Sequence, residues 1–189
     1  MSEKLYLTAN GLLEDSWKLG AKILESGFRP TFMVAVWRGG VPIGMAVQEY
    51  LSYHGVETDN IAIRTSAYAC GIDEQKREVN VSGLNYLVKN IQQQDSLLIV
   101  DDVFDSGRSI EAIVNDLQHK ARLNTPQDIR VAVPYYKPHR NLTERVPDYF
   151  IHETSSWLKY PHSLEGLTVE EMKLKRPELY EIIERHLQQ

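Results

Sequence analysis

The fourteen residues from Leu97 to Ile110, LLIVDDVFDSGRSI, constrain the fold more tightly than any other part of the chain. Four aliphatic residues in a row, Leu97 to Val100, are too short a run for a buried helix and too apolar for a half-exposed strand, so they predict a central parallel strand. The strand ends on two acids, Asp101 and Asp102. In an open parallel sheet the carboxyl edge is where ligands bind. Asp105-Ser106-Gly107-Arg108-Ser109 then turns into IEAIVNDLQ, whose Ile110, Ile113, Val114 and Leu117 fall at helical spacing. A helix that starts at a small, hydroxyl-rich turn presents free N–H groups and the positive end of its dipole. Gly107 lets a phosphate approach the chain closely, and Ser106 and Ser109 add hydroxyl donors. A purely local reading, with the acids as caps and the serines as turn formers, accounts for Asp105 and Ser106 alone. It explains poorly why two adjacent acids sit at a buried strand end, where they repel each other and call for a hydroxyl or cation partner.

A hydrophobic strand, two acids, two spacers and then Asp-Ser-Gly-x-Ser resembles the phosphoribosyl pyrophosphate (PRPP) motif of type I phosphoribosyltransferases. The resemblance implies that Asp101 and Asp102 hold the ribose hydroxyls, and that Asp105, Ser106, Gly107, Arg108 and Ser109 cradle the 5′-phosphate. Asp105 is also the candidate general base. The two acids would contact Mg²⁺ indirectly, through ribose hydroxyls or water. No GxxxxGK[ST] and no GxGxxG occurs anywhere in the chain, which excludes the other common phosphate loops.

Composition narrows the class. With 189 residues and 42% apolar content the chain fits a single domain with a full core. No run approaches the 18 or so apolar residues of a membrane span, and MSEKLYLTANGLLED lacks the apolar centre of a signal peptide. The one cysteine, Cys70, excludes an internal disulfide framework and most cysteine metal sites, which points to a reducing cytoplasm. A formal charge of −5 argues against broad nucleic-acid affinity.

Taken in order, Asn10 to Ser26 reads as a helix stopped by Gly27, followed by a buried strand, TFMVAVW. Trp37-Arg38-Gly39-Gly40-Val41-Pro42 is a tight strand-to-helix turn, with Pro42 suited to a first turn. It resembles the pyrophosphate loop of the family's purine-salvage branch, which implies Arg38, Gly39 and Gly40 as pyrophosphate ligands. There the peptide joining Arg38 to Gly39 can be cis, at a cost of about 3 kcal/mol. Ile61 to Thr65 predicts a strand, and the small and polar residues from Ser66 to Glu78 predict a long loop or hairpin. By resemblance this is the loop that closes over PRPP, with Ser66 and Tyr68 as its candidates and Ala67 at the usual serine site. Gly83 to Gln92 is a short helix.

Ile129 to Tyr136 is a further strand, and a lone lysine after a strand, here Lys137, is most often a solvated residue. By resemblance it donates to the 6-oxo group of a purine, Trp157 stacks on the base, and Leu158 offers backbone contacts to its edge. Trp157 read from the residues alone is equally a core residue. Pro147 to Pro161 predicts a short strand and a turn. Ser163 stands where many relatives carry an acid, with Glu165 two residues later. Thr168 to Gln189 is charged and helical, an amphipathic helix or pair.

The expected architecture is α/β: a mostly parallel central sheet flanked by helices, a small hood made by the two chain ends, and a C-terminal helical segment. It is read as one phosphoribosyltransferase domain over 1–189, with a core of about 8–167 and an extension over 168–189. The resemblance implies Mg²⁺-dependent transfer of the 5-phosphoribosyl group from PRPP to N9 of hypoxanthine, guanine or xanthine. It implies a homo-oligomer, dimer or tetramer, with neither nucleic acid nor membrane as a partner. A regulator of the same fold, binding PRPP or a nucleotide without turnover, is the alternative. An RNA-binding regulator needs a basic surface, and a pyrimidine-specific enzyme is disfavoured by Lys137 with Trp157.

Overall fold

The computed structural model describes residues 4–69 and 77–187, with only the backbone of residues 67–69, 77, 78 and 187. The chain divides into two compact units. One comprises residues 10–155, and the other is made by both chain ends, residues 1–9 and 156–189.

The larger unit is built on a seven-stranded sheet among the described residues. Its strands are β2 (Phe32–Trp37), β3 (Asp59–Ala69), β4 (Arg77–Ser82), β5 (Ser96–Val100), β6 (Val103–Phe104), β7 (Asp128–Tyr136) and β8 (Tyr149–Glu153). The order runs β4-β3-β2-β5-β7-β6, with β8 also paired to β7, and every pairing is parallel except β3 with β4. Parallel strands covered on both faces need apolar residues at successive positions. Leu97, Leu98, Ile99 and Val100 are accordingly all fully buried.

Two helices cover one face: α3 (Asn85–Asn90) through Leu87, and α4 (Arg108–Ala121) through Ile110, Ile113, Val114 and Leu117, packed with Val34, Ile99 and Val131. On α2 (Gly40–Tyr53), Gly44 lies so close to the strands that a Cβ there would stand 2.9 Å from the Ala35 Cβ. Gly20 of α1 (Ala9–Glu25) lies equally close to the Tyr50 side chain, which locks α1 onto α2. Asp15 of α1, 6% exposed, meets His152 Nε2 of β8 at 2.8 Å, a link with no signal in the sequence.

Ser66 to Glu78 resolves toward the hairpin alternative. Its arms pair from Arg64 with Ser82 to Ala69 with Arg77, so the backbone of Tyr68 lies opposite Glu78. The Tyr68 side chain and the apex, Cys70 included, lie outside the described residues.

The smaller unit corrects the reading of Pro147 to Pro161 as one strand and a turn. A second strand is present there, β9 (Trp157–Lys159), paired in parallel with β1 (Lys4–Tyr6). Three-residue strands have too little pattern to announce themselves, and they form because each completes the other's ladder. The C-terminal segment is two helices, α5 (Val169–Lys175) and α6 (Pro177–Leu187), with Thr168 and Glu171 forming a reciprocal capping box at the start of α5. No helix among the described residues is long and apolar enough to cross a membrane.

Candidate active site

The sheet order creates the site. From β2 the chain moves outward to β3, then returns to β5 on the opposite side of β2. Where the order reverses, loops leave the carboxyl ends of neighbouring strands in opposite directions and open a crevice. The loops at this one are Arg38-Gly39-Gly40 after β2 and Asp101-Asp102 after β5.

The acids sit in a lapse of a single ladder. β5 pairs with β7 up to Val100 with Ala132, and β6 resumes in the same register with Val103 opposite Tyr135. Only Asp101 and Asp102 drop out of strand geometry between them. The Asp102 N–H donates to Asp101 Oδ1 at 2.9 Å. Burial pushes the Asp101 carboxyl well above the usual carboxylate range, and the negative charge of Asp102 adds to it. A pair in this state gains from hydroxyl donors or a cation, so it suits ribose hydroxyls and Mg²⁺. No group of three or more His, Cys, Asp or Glu side chains among the described residues could hold a metal.

The glycines of the first loop are set by closeness to those acids. A Cβ on Gly39 would overlap the Asp102 carboxylate, and one on Gly40 would stand 2.5 Å from the Val100 carbonyl oxygen and 2.9 Å from Asp101 Cα. Gly40→Ala meets backbone that cannot swing away, and we expect it to lower stability by about 1–3 kcal/mol in urea unfolding. A midpoint equal to wild type would remove this account of the loop. The cis peptide lies at Trp37–Arg38, one bond earlier than the Arg38–Gly39 position expected from the resemblance. Gly39 is already helical at φ −66° and ψ −31°, so the bend from strand to helix is complete before it.

Gly107, at φ 77°, stands at the start of α4, and no side chain caps that end. A helix start of this kind can accept an anion. A Cβ on Gly107 would collide with Thr143 and with Asn141 Oδ1, side chains of a loop that the Ser106 carbonyl holds through the Leu142 N–H at 3.0 Å. Asp101, Asp102, Asp105, Ser106, Gly107 and Ser109 line one pocket of about 220 Å³.

Lys137 is not the solvated residue that its type suggests. It is 8% exposed, and its Nζ lies 3.3 Å from Asp105 Oδ2. The β6–β7 ladder brings them together, since the Lys137 N–H donates to the Phe104 carbonyl at 2.9 Å and sets the two side chains abreast. Arg140 Nε donates to the other Asp105 oxygen, Oδ1. Sequence reasoning missed Arg140, because nothing local links it to an acid 35 positions away. Ser66 pairs with Asn80 on the hairpin. Trp157 and Leu158 belong to the smaller unit. There Trp157 is 55% exposed and so is no core residue, while Leu158 is buried.

Residues 6–167 match the phosphoribosyl transferase domain. A hypoxanthine-guanine phosphoribosyltransferase of Lactococcus lactis is 24% identical over 149 residues, spanning 78% of this chain and 74% of the relative. Among solved structures, a purine phosphoribosyltransferase of Pyrococcus horikoshii superposes with a TM-score of 0.69 at 22% identity, over 88% of this chain and 97% of its own. A hypothetical protein of Neisseria gonorrhoeae with bound ppGpp superposes with a TM-score of 0.71 at 22% identity, over 96% and 98% of the two chains. The chain belongs to the phosphoribosyl transferase domain family, and its fold is the type I fold of the purine phosphoribosyltransferases.

Proposed function

We propose that the protein transfers the 5-phosphoribosyl group of PRPP to N9 of a 6-oxopurine, giving a nucleoside 5′-monophosphate and pyrophosphate in a reducing cytoplasm. The observation that carries this reading is the buried Lys137 held against Asp105 beside the acid pair and the uncapped start of α4. This placement supports reading the ribose, phosphate and base roles as parts of one crevice.

In this reading Asp101 and Asp102 accept the ribose hydroxyls, and the Ser106 to Ser109 turn holds the 5′-phosphate. Arg38, Gly39 and Gly40 receive pyrophosphate, while Ser66 and Tyr68 belong to the hairpin that covers it. Asp101 and Asp102 would hold Mg²⁺ indirectly, through ribose hydroxyls or water, and the ion would supply positive charge against the leaving pyrophosphate. The C1′–O bond to pyrophosphate breaks as N9 bonds to C1′, and Asp105 takes the N7 proton. Lys137 and Arg140 occupy one site on each Asp105 oxygen, and a carboxylate has about four acceptor sites, so room remains for that proton. The protein's part is positioning and preorganised charge.

Lys137 has three donors and no acceptor. With one donor on Asp105 it can serve a 6-oxo oxygen but opposes the 6-amino group of adenine. Trp157 stacking tolerates any purine, so discrimination falls to the edge, where a mismatch leaves a buried group unpaired. Hypoxanthine should exceed adenine in kcat/KM by up to about 10⁴-fold, and Lys137→Gln, whose amide can also accept, should narrow the gap. Steady-state pyrophosphate release with PRPP, Mg²⁺ and a panel of bases tests both statements. A wild-type preference for adenine would overturn the role of Lys137.

A second reading, a regulator that binds nucleotide in this crevice without turnover, draws support from the Neisseria gonorrhoeae protein, whose structure holds ppGpp. Ligand binding without pyrophosphate release for any base would favour it.

A further inference from the structure

The domain match ends at Leu167, and α5 and α6 lie beyond it. The joint between these helices is dictated locally, because a residue before proline is driven out of helical geometry. Arg176, before Pro177, adopts φ −146° and ψ 61°.

From this joint the guanidinium donates to four backbone carbonyls. Its Nη2 reaches Lys159 O at 3.2 Å and Tyr160 O at 2.8 Å, and its Nη1 reaches Pro161 O at 3.4 Å and Ser163 O at 3.1 Å. These carbonyls run from the last residue of β9, Lys159, into the irregular segment after it, and Arg176 adds to the partners that two of them already have, since the Leu7 N–H donates to Lys159 O at 2.9 Å and the Ser163 N–H to Tyr160 O at 3.1 Å. A planar fork with five N–H donors can gather such a set, and an ammonium cannot.

Lys159 holds the same segment further along. Although 3% exposed, it donates to the Glu165 and Gly166 carbonyls at 2.8 and 3.1 Å, with its Nζ 5.6 Å from the Trp157 ring centre. The helix that carries Arg176 is anchored in turn. Met172 is buried, and Lys4 and the Tyr6 hydroxyl both donate to Glu171 Oε1. The Lys4 bond is the first cause that lowers the Glu171 carboxyl to about 2, followed by the Thr168 N–H and the Tyr6 hydroxyl. β1, β9, α5 and the 159–166 segment are therefore tied into one frame.

We propose that Arg176 is a positioning residue for the purine. By gathering the carbonyls of Lys159 to Ser163 it holds the chain that presents Trp157 and Leu158, and the C-terminal helices thereby shape base recognition. This rests on the proposed purine contacts of Trp157 and Leu158. PRPP recognition, assigned to residues of the other unit, should not depend on it.

The test is steady-state kinetics of the full chain and its Arg176→Ala and Arg176→Lys variants, varying hypoxanthine, guanine and PRPP separately. In Arg176→Ala the KM for each base should rise about tenfold or more, while the KM for PRPP stays within about twofold. Arg176→Lys should recover only part of the base affinity, since charge without the fork does not span the carbonyls. Should Arg176→Ala fail to fold, Arg176→Lys carries the same expectation at smaller size. Unchanged base KM in a folded variant, or equal loss for base and PRPP, overturns the proposal and leaves the function standing. A wild-type protein without turnover overturns the function, and this proposal with it.

Discussion

Asp101→Asn combined with Asp102→Asn will abolish phosphoribosyl transfer and leave the fold at least as stable. The amide is nearly isosteric, so it fits the contact with Gly39, and its oxygen still accepts the Asp102 N–H that now binds Asp101 Oδ1. What disappears is charge: in the proposed role the ribose hydroxyls lose anionic acceptors, and a cation held through them loses the negative charge behind it. The stability side has a sign. Burial and the neighbouring Asp102 hold the folded Asp101 carboxyl above its unfolded value, so the folded state binds the proton more tightly. Stability is therefore lost as pH rises from the ordinary carboxylate range toward the raised folded value, so a penalty is present at neutral pH. The variant should gain stability at pH 7, and the gain should vanish near pH 3, below about 3.9, where the unfolded carboxyl is protonated as well. Urea unfolding at the two pH values and pyrophosphate release check the pair of claims. Undiminished turnover would sink the assignment of the acids, and a loss of stability at pH 7 would sink the charge argument.

Asp105→Asn should lower kcat by about 10² to 10⁴, the usual contribution of a general base, with PRPP affinity little changed. The side chain keeps its shape and one acceptor for Lys137 or Arg140 but can no longer take a proton. The structure adds a second expectation. Lys137 is buried, and Asp105 is the carboxylate beside it at 3.3 Å, so neutralising that carboxylate should cost stability, on the order of 1–3 kcal/mol. Single-turnover kinetics beside a PRPP binding titration separate the roles. Equal loss in both would make Asp105 a phosphate-loop residue.

Local chemistry was legible in the chain itself. Leu97 to Leu117 reads as strand, acids, turn and helix because a buried parallel strand, a helix start and an amphipathic period each depend on residues within a few positions of one another. The turn at Trp37 to Pro42 was legible for the same reason, as was the helix ending at Gly27, whereas the joint before Pro177 was left open between one helix and a pair. The cis bond stands at Trp37–Arg38, one peptide earlier than the resemblance implied. Gly39 and Gly40 pack on Asp102 and Val100, some sixty positions away.

Tertiary structure decided what depends on pairing across the chain. The order of β3, β2 and β5 put the two loops at one crevice, and strand order is set by crossovers that no local pattern encodes. The resumed ladder of β6 on β7 turned Lys137 from a residue type usually solvated into a buried partner of Asp105. β1 and β9 are too short to carry a signal, and each exists as a strand through the other. Arg176 read as one charge on an amphipathic helix, and its four carbonyl partners exist only once the chain after β9 has folded back within reach. Hydrogen-bond geometry and burial are properties of groups brought together from distant positions, whereas periodicity and turn chemistry act along the chain.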